Sequence, residues 1–292
     1  MLQQSLLTGS VAARFISRVI TILVCFFAVA SIRSERYQRW HSEQISDLPQ
    51  FVLWAWEKPE DLRFIKPENT SVAFLADTVQ LRGDAVVVRP RLQSLLVPDH
   101  AHLVAVVRIE ADQDTAQNRN QIEETATAIA KAASLPRVVA VQVDFDATRS
   151  QREFYRSILL ELRRDLGPTA AISITALASW CLGDDWISSL PINEAVPMLF
   201  RMGAGTNEVV GWLSSGHDFR APVCRGSLGV STDERWASLP GVRRLYVFHD
   251  RAWTQKTELA FLREVQNDVK SPAHRVCSVP IADSICDTKR HL

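Results

Sequence analysis

The chain has 292 residues, with 33 basic and 33 acidic side chains and five cysteines. That balance argues against broad nucleic-acid binding, which needs a basic face. The length suits one large domain or two smaller ones, and the absence of a long Gly/Ser linker, low-complexity tract or repeat favours one.

The first 30 residues read as an export signal. Arg14 and Arg18 precede a mostly apolar run from Val19 to Ala30, which ends Ala28-Val29-Ala30. A basic segment, a short apolar core and a small-x-small site are the parts of a secretory leader, with cleavage expected after Ala30. An uncleaved anchor is the alternative, and it alone would bring the protein to a membrane. Spanning needs about 20 apolar residues, and Arg18 and Arg33 bracket a shorter run. Val24 stands before Cys25 where a lipoprotein site requires a small residue. The expectation is an exported, periplasmic protein. Loss of residues 1–30 removes two of the basic residues and none of the acidic ones, leaving a net charge of about minus two. Residues 31–50 are polar and are expected to form a loose lead-in, 51–270 the domain and 271–292 a tail.

Runs rich in β-branched and aromatic residues follow at 51–56, 71–76, 102–109, 138–145, 170–178, 194–201, 223–230 and 244–250. Helical spacing is clearest at 117–134, 150–166 and 254–269, where apolar positions recur every three to four residues. Alternation of strand and helix predicts a parallel sheet. Eight strands would close it into an α/β (β/α)₈ TIM-type barrel, with an open α/β sheet as the alternative. No GxGxxG or P-loop occurs, and the first strand runs into Trp56-Glu57-Lys58-Pro59 rather than a glycine-rich turn. A ninth run, 84–89, reads as half of a hairpin inserted after the second strand.

Barrel enzymes build their sites at the C-terminal strand ends. The first strand ends Trp54-Ala55-Trp56-Glu57, the third Arg108-Ile109-Glu110, the fourth Gln142-Val143-Asp144-Phe145-Asp146, and the eighth His249-Asp250 with Trp253 close behind. Side chains alternate along a strand. With Val141, Val143 and Phe145 facing the helices, Gln142, Asp144 and Asp146 face the barrel axis, and Arg108 and Glu110 share that sense. Two carboxylates crowded at a partly desolvated mouth resist ionising together. One is then kept as an acid and the other as a base, the division that glycosidic cleavage uses. The plainer reading pairs Asp144 with Arg108 or Arg149 and makes Asp146 a helix cap. Trp54, Trp56, Trp180 and Trp253 are candidate stacking platforms for sugar rings, although strand aromatics more often belong to the core.

Asp144, Asp146, Glu110, His249 and Asp250 could together offer oxygen-rich ligands. No HxH, HExxH or CxxC fixes a metal, so none is assigned. No GxSxG elbow marks a serine nucleophile, and nothing indicates a nucleotide or redox cofactor. Among Cys181, Cys224, Cys277 and Cys286 three pairings are open. Cys277 and Cys286 could staple the tail, and Cys181 and Cys224 could equally be buried thiols. The pattern specifies no oligomeric state.

The segments VLWAWEKPEDLRF (52–64), VRPRLQSL (88–95), VAVVRIE (104–110), VQVDFDATRSQREFY (141–155), SITALASWCLGDDW (173–186), INEAVPMLFRMG (192–203) and RGSLGVSTDE (225–234) resemble a bacterial domain-of-unknown-function family, number 3142, over nearly the whole chain after the leader. More distantly, the pattern resembles chitinase-type glycosidases, whose fourth strand ends DxxDxDxE and whose sixth carries MxYD. Aligning Asp144 and Asp146 with the paired aspartates leaves Val141 at the first Asp and Thr148 at the proton-donating Glu. Shifting by two residues puts Asp146 at the donor and Gln142 at an aspartate. Met198-Leu199-Phe200-Arg201 keeps the Met and an aromatic but carries Arg in place of Asp, and Trp253 resembles the tryptophan that floors the sugar site.

The resemblance implies an extracytoplasmic glycan as partner. It makes Asp146 the general acid, Asp144 its electrostatic partner or base, and Glu110 a second base. Trp54, Trp56, Glu57, Arg108, Gln142, Trp180, Met198, Arg201, Asp250 and Trp253 would be glycan contacts. A glycan-binding protein without turnover and a metal-dependent phosphoester hydrolase are the alternatives.

Overall fold

A computed structural model describes residues 45–183, 186–203, 205–234 and 243–270. The expected leader and the tail carrying Cys277 and Cys286 lie outside the described residues. The strands are β1 (Phe51–Ala55), a two-residue β2 (Glu60–Asp61), β3 (Thr70–Arg82), β4 (Ala85–Pro90), a two-residue β5 (Leu95–Leu96), β6 (Leu103–Ala111), β7 (Val138–Asp144), β8 (Ile172–Leu177), β9 (Glu194–Met198), β10 (Ser227–Ser231) and β11 (Arg244–Phe248). The helices are α1 (Arg119–Ala133), α2 (Arg152–Leu166), the single turn α3 (Trp180–Gly183), α4 (Thr206–Ser214) and α5 (Gln255–Lys270).

Eight strands pair in parallel around a closed ring in the order β1, β3, β6, β7, β8, β9, β10, β11, and β11 returns to β1. The protein is therefore an α/β barrel of the TIM type. The first two connections depart from the repeating unit. After β3 the chain turns back as β4, antiparallel to it from Asp77–Pro90 to Arg82–Ala85, so the expected insert is a hairpin. The predicted second strand stopped at residue 76, yet β3 continues six residues further through an irregularity between Leu75 and Asp77. A bulge shifts the side-chain alternation by one residue, which is why polar Thr78 and Gln80 do not end the strand.

Two apolar layers hold the barrel. Outside it, α2 presents Tyr155, Ile158, Leu159 and Leu162 at helical spacing, all fully buried, against outward residues such as Val141 and Val143. α1 buries mainly small residues, Ala126, Ala128 and Ala132 around Ile129, and its first turn is capped by Asn118, whose side chain accepts from the Gln121 amide at 2.9 Å. Gly167 ends α2 at φ +84°, a left-handed conformation that glycine adopts without a side-chain clash. Inside, Val52, Trp54, Ala73, Val104, Val106, Ala140, Val196 and Tyr246 fill the interior.

The described part of the lead-in is not loose. Ile45 and Leu48 are buried against that interior layer. Arg244 at the start of β11 donates to the carbonyls of Ile45, Leu48 and Pro49, so residues 45–50 close the N-terminal end of the barrel. Cys181, in α3, and Cys224, ahead of β10, form a disulfide with Cα atoms 6.0 Å apart. Among the described residues no helix is long and apolar enough to cross a membrane.

Candidate functional site

A cavity of about 550 Å³ opens at the C-terminal ends of the strands. Of the residues singled out from sequence, Trp54, Trp56, Arg108, Asp144, Asp146, Met198 and Arg201 line it, joined by Thr175, Phe200 and Phe248. The parity argument for β7 holds in the geometry: Val141, Val143 and Phe145 lie in the outer layer, Gln142 points into the barrel and Asp144 and Asp146 face the cavity.

Asp144 is the last residue of β7 and is partly buried, whereas Asp146, two residues further, is exposed. The Thr175 hydroxyl donates to Asp144 Oδ1 at 2.6 Å. Burial pushes the Asp144 carboxyl up to about 6. The Thr175 hydrogen bond and Arg108 oppose that rise, while the carboxylates of Asp146 and Glu110 add to it. Asp144 is thus a carboxyl that holds its proton to higher pH than an ordinary aspartate. The expectation from the resemblance placed the acid at Asp146, which is exposed. Past Asp144, the end of β7, Phe145 and Ala147 turn into the outer core while Asp146 between them is exposed.

Arg108 is half-exposed and pairs with Glu110, Nε to Oε1 at 3.3 Å. Glu110 also accepts from the Gln80 amide at 3.0 Å, and it stands beside the cavity rather than in its lining. The plainer sequence reading, Asp144 paired with Arg108, is not the arrangement found. Nor does Asp146 cap the following helix. Thr148 instead caps the 3₁₀ turn Arg149–Gln151 that leads into α2, its own amide donating to the Gln151 side-chain oxygen at 2.9 Å.

The cavity floor is Trp54. Its indole N–H donates to Gln142 Oε1 at 2.9 Å, and its ring packs on Tyr246, with centroids 5.4 Å apart. Gln142 is therefore fully buried beneath the floor, not a ligand contact. It continues a polar chain down the axis: Gln142 donates to Ser173 at 3.1 Å, Ser173 to Glu194 at 2.9 Å, and Tyr246 to Glu194 at 2.9 Å. Glu194 also accepts from Ser227 and pairs with Arg244 at 3.0 Å. Every buried polar group needs a partner, and this chain supplies one from the floor to the sealed end. The polar alternation of Ser173 and Thr175 in β8 was its sequence signal, as was the alternation of Tyr246 and Phe248 in β11; neither Thr175 nor Phe248 was singled out.

Trp180 and Trp253, expected as stacking platforms, are buried and lie outside the cavity lining. Trp180 is buried on the outer side of the barrel, edge-on to Trp186 at 5.0 Å. Trp253 is buried beside β1, donating its indole N–H to the Trp54 carbonyl at 3.0 Å while its amide donates to Glu60. Both serve packing, as strand-end aromatics usually do. Glu57 and Asp250 are exposed and outside the cavity lining.

Among the described residues Asp144, Asp146 and Glu110 do not converge with His249 and Asp250. Among the described residues the group whose ligand atoms converge is Asp233, His249 and Asp250, within 4.8 Å of one another. The His249 Nδ1 there is already engaged with the Thr232 hydroxyl at 2.7 Å.

The fold and the site define a TIM-type barrel with an acidic cluster at the mouth formed by the C-terminal ends of its strands. In comparisons with known proteins the chain matches no family model, no curated protein and no solved structure. The likeness to family 3142 and to chitinase-type enzymes accordingly rests on the motifs quoted above.

Proposed function

We propose that this protein is a glycoside-hydrolase-like barrel that acts on an extracytoplasmic glycan. The observation that carries the reading is Asp144, a carboxyl raised to about 6 by burial, beside the exposed Asp146 in a cavity whose other lining includes Trp54, Trp56, Phe200 and Phe248. A carboxyl with its pKa raised to about 6 keeps a protonated fraction in mildly acidic solution that can protonate a glycosidic oxygen, and a second carboxylate can stabilise the developing oxocarbenium ion or activate water. In this reading Asp144 is the acid, Asp146 the partner carboxylate, and Thr175 the group that orients Asp144. Arg108, held by Glu110, offers donors to ring hydroxyls, and the aromatic residues stack on sugar faces, an affinity that their flat apolar surfaces support. Export is part of the proposal: the Cys181–Cys224 disulfide is a bond that persists in oxidising compartments such as the periplasm.

The test is product release from envelope glycans and chitin-type oligosaccharides by the wild type and by Asp144→Asn, with binding measured in parallel. Removing a general acid is expected to cost about 10²–10⁴-fold in turnover while binding persists. A second reading, a glycan-binding protein without turnover, is favoured by one observation. Thr148, at the donor position in one alignment, is occupied in capping the turn before α2. Binding with no product from the wild type would select it.

A further inference from the structure

We propose, building on the glycan reading, that the ligand is an acidic saccharide and that Arg201 is the residue that recognises its carboxylate. The guanidinium of Arg201 stands over the Phe248 ring, 4.8 Å from its centroid, and Phe248 is itself stacked on Phe200, with centroids 5.5 Å apart and planes within 9°. The backbone holds Arg201 in place from the other side. Its φ is +49°, a left-handed conformation that a side-chain-bearing residue rarely adopts. Its amide donates to both carboxylate oxygens of Glu234, at 3.1 and 3.2 Å.

A strained backbone, an anchored amide and a stacked side chain together fix one guanidinium at the wall of the cavity. Strain of this kind persists where surrounding structure enforces it, and it concentrates at ligand sites. What the guanidinium lacks is an acid. Arg108, the other cavity arginine, is paired with Glu110, whereas among the described residues no side-chain carboxylate lies within ion-pair distance of the Arg201 guanidinium. Its fork of donors matches a carboxylate in two-point fashion.

The barrel's ring order makes the arrangement directional. Phe248 ends β11 and Asp144 ends β7, four strands apart in a ring of eight, so they face each other across the mouth. The cavity therefore has an acidic wall, with Asp144 and Asp146, and an aromatic wall that carries a cation. Arg201 is exposed, so a neutral sugar would leave its charge to water and gain nothing from it. A saccharide bearing a carboxylate can place it on Arg201 while its glycosidic bond lies toward Asp144, keeping its negative charge away from the two aspartates.

The experiment is calorimetric titration of the full chain with uronic-acid and sialic-acid oligosaccharides, each against its carboxyl-reduced counterpart, repeated with Arg201→Gln and Arg201→Lys after a melting check. The expected result is that at least one acidic member binds about tenfold or more tightly than its reduced form. That preference should disappear in Arg201→Gln, survive in part in Arg201→Lys, and shrink as salt is raised. Equal binding of acidic and reduced forms would overturn the inference and leave the glycan reading standing. A preference that persists in Arg201→Gln would overturn the assignment to Arg201. Failure of every acidic and reduced sugar to bind the wild type would overturn the inference and the glycan reading together.

Discussion

At Asp144 loss of solvent and a hydrogen bond act against each other. Burial disfavours the charged carboxylate, and the Thr175 hydroxyl, which can donate at 2.6 Å only to an unprotonated oxygen lone pair, favours it. The net shift is upward, to about 6 from 3.8. Removing the opposing hydrogen bond must therefore raise the pKa further. Thr175→Val is expected to move the alkaline limb of the pH–rate profile to higher pH, because an acid catalyst works in its protonated form; a limb that stays put or moves down would show that Thr175 does not act on Asp144. The same shift has a stability consequence. A carboxyl raised on folding leaves its stabilising contribution intact below its unfolded pKa, near 3.8, and loses it as pH rises through about 6. Asp144→Asn, which cannot ionise, should gain in Tm relative to the wild type as pH is raised across that window, measured by thermal melts at several pH values. A difference independent of pH would mean that Asp144 ionises as freely in the folded protein as in the unfolded chain.

Among the elements, β10 sets the depth of the cavity through a single missing side chain. A Cβ added at Gly229 would stand 2.9 Å from Trp54 Cη2 and 3.3 Å from Cζ3, so the indole lies flat across the barrel only because β10 has glycine there. Gly229→Ala is expected to push the floor upward or destabilise the protein by about 1–3 kcal/mol, the usual range for overpacking a filled core; chemical denaturation and quenching of Trp54 fluorescence would read the two effects. Wild-type stability and an unmoved indole in that variant would contradict the packing described. The β7 strand was legible in the sequence because a period of two in VQVDFD leaves one orientation for its apolar set, and the inward placement of Asp144 follows from that alone. The tryptophans were not legible in the same way. Trp54 is a paired residue of β1 that forms the cavity floor, whereas Trp253 lies five residues past the end of β11 as a support beside β1, and alternation carries no information past the last paired residue. Arg201 was found as a departure from a familiar motif, while its stacking on Phe248 depends on the turn at φ +49°, which local sequence does not mark since no glycine stands there.

Across the molecule, the closed ring and its covering helices could be read from the alternation of strand and helix, but the devices that close it could not. The disulfide joins residues 43 apart in sequence, and four cysteines leave three pairings until the barrel brings two of them together. Closing a loop of that length is expected to contribute about 4 kcal/mol through the unfolded chain, so reduction, or Cys181→Ala with Cys224→Ala, should lower Tm with the fold retained. An unchanged Tm would show that the bond constrains nothing. The sealing of the N-terminal end by residues 45–50 and Arg244 leaves the opposite mouth as the open end, and the polar chain from Glu194 to Trp54 ties the two. The account as a whole rests on a protonated Asp144 acting on a glycan at that mouth. The measurement that bears on it most directly is the pH dependence of glycan hydrolysis by the wild type beside Asp144→Asn. The account predicts a rate that falls as pH rises through about 6 and a variant that binds the same glycan but releases product at least about 10²-fold more slowly. Turnover by Asp144→Asn at the wild-type rate would contradict it.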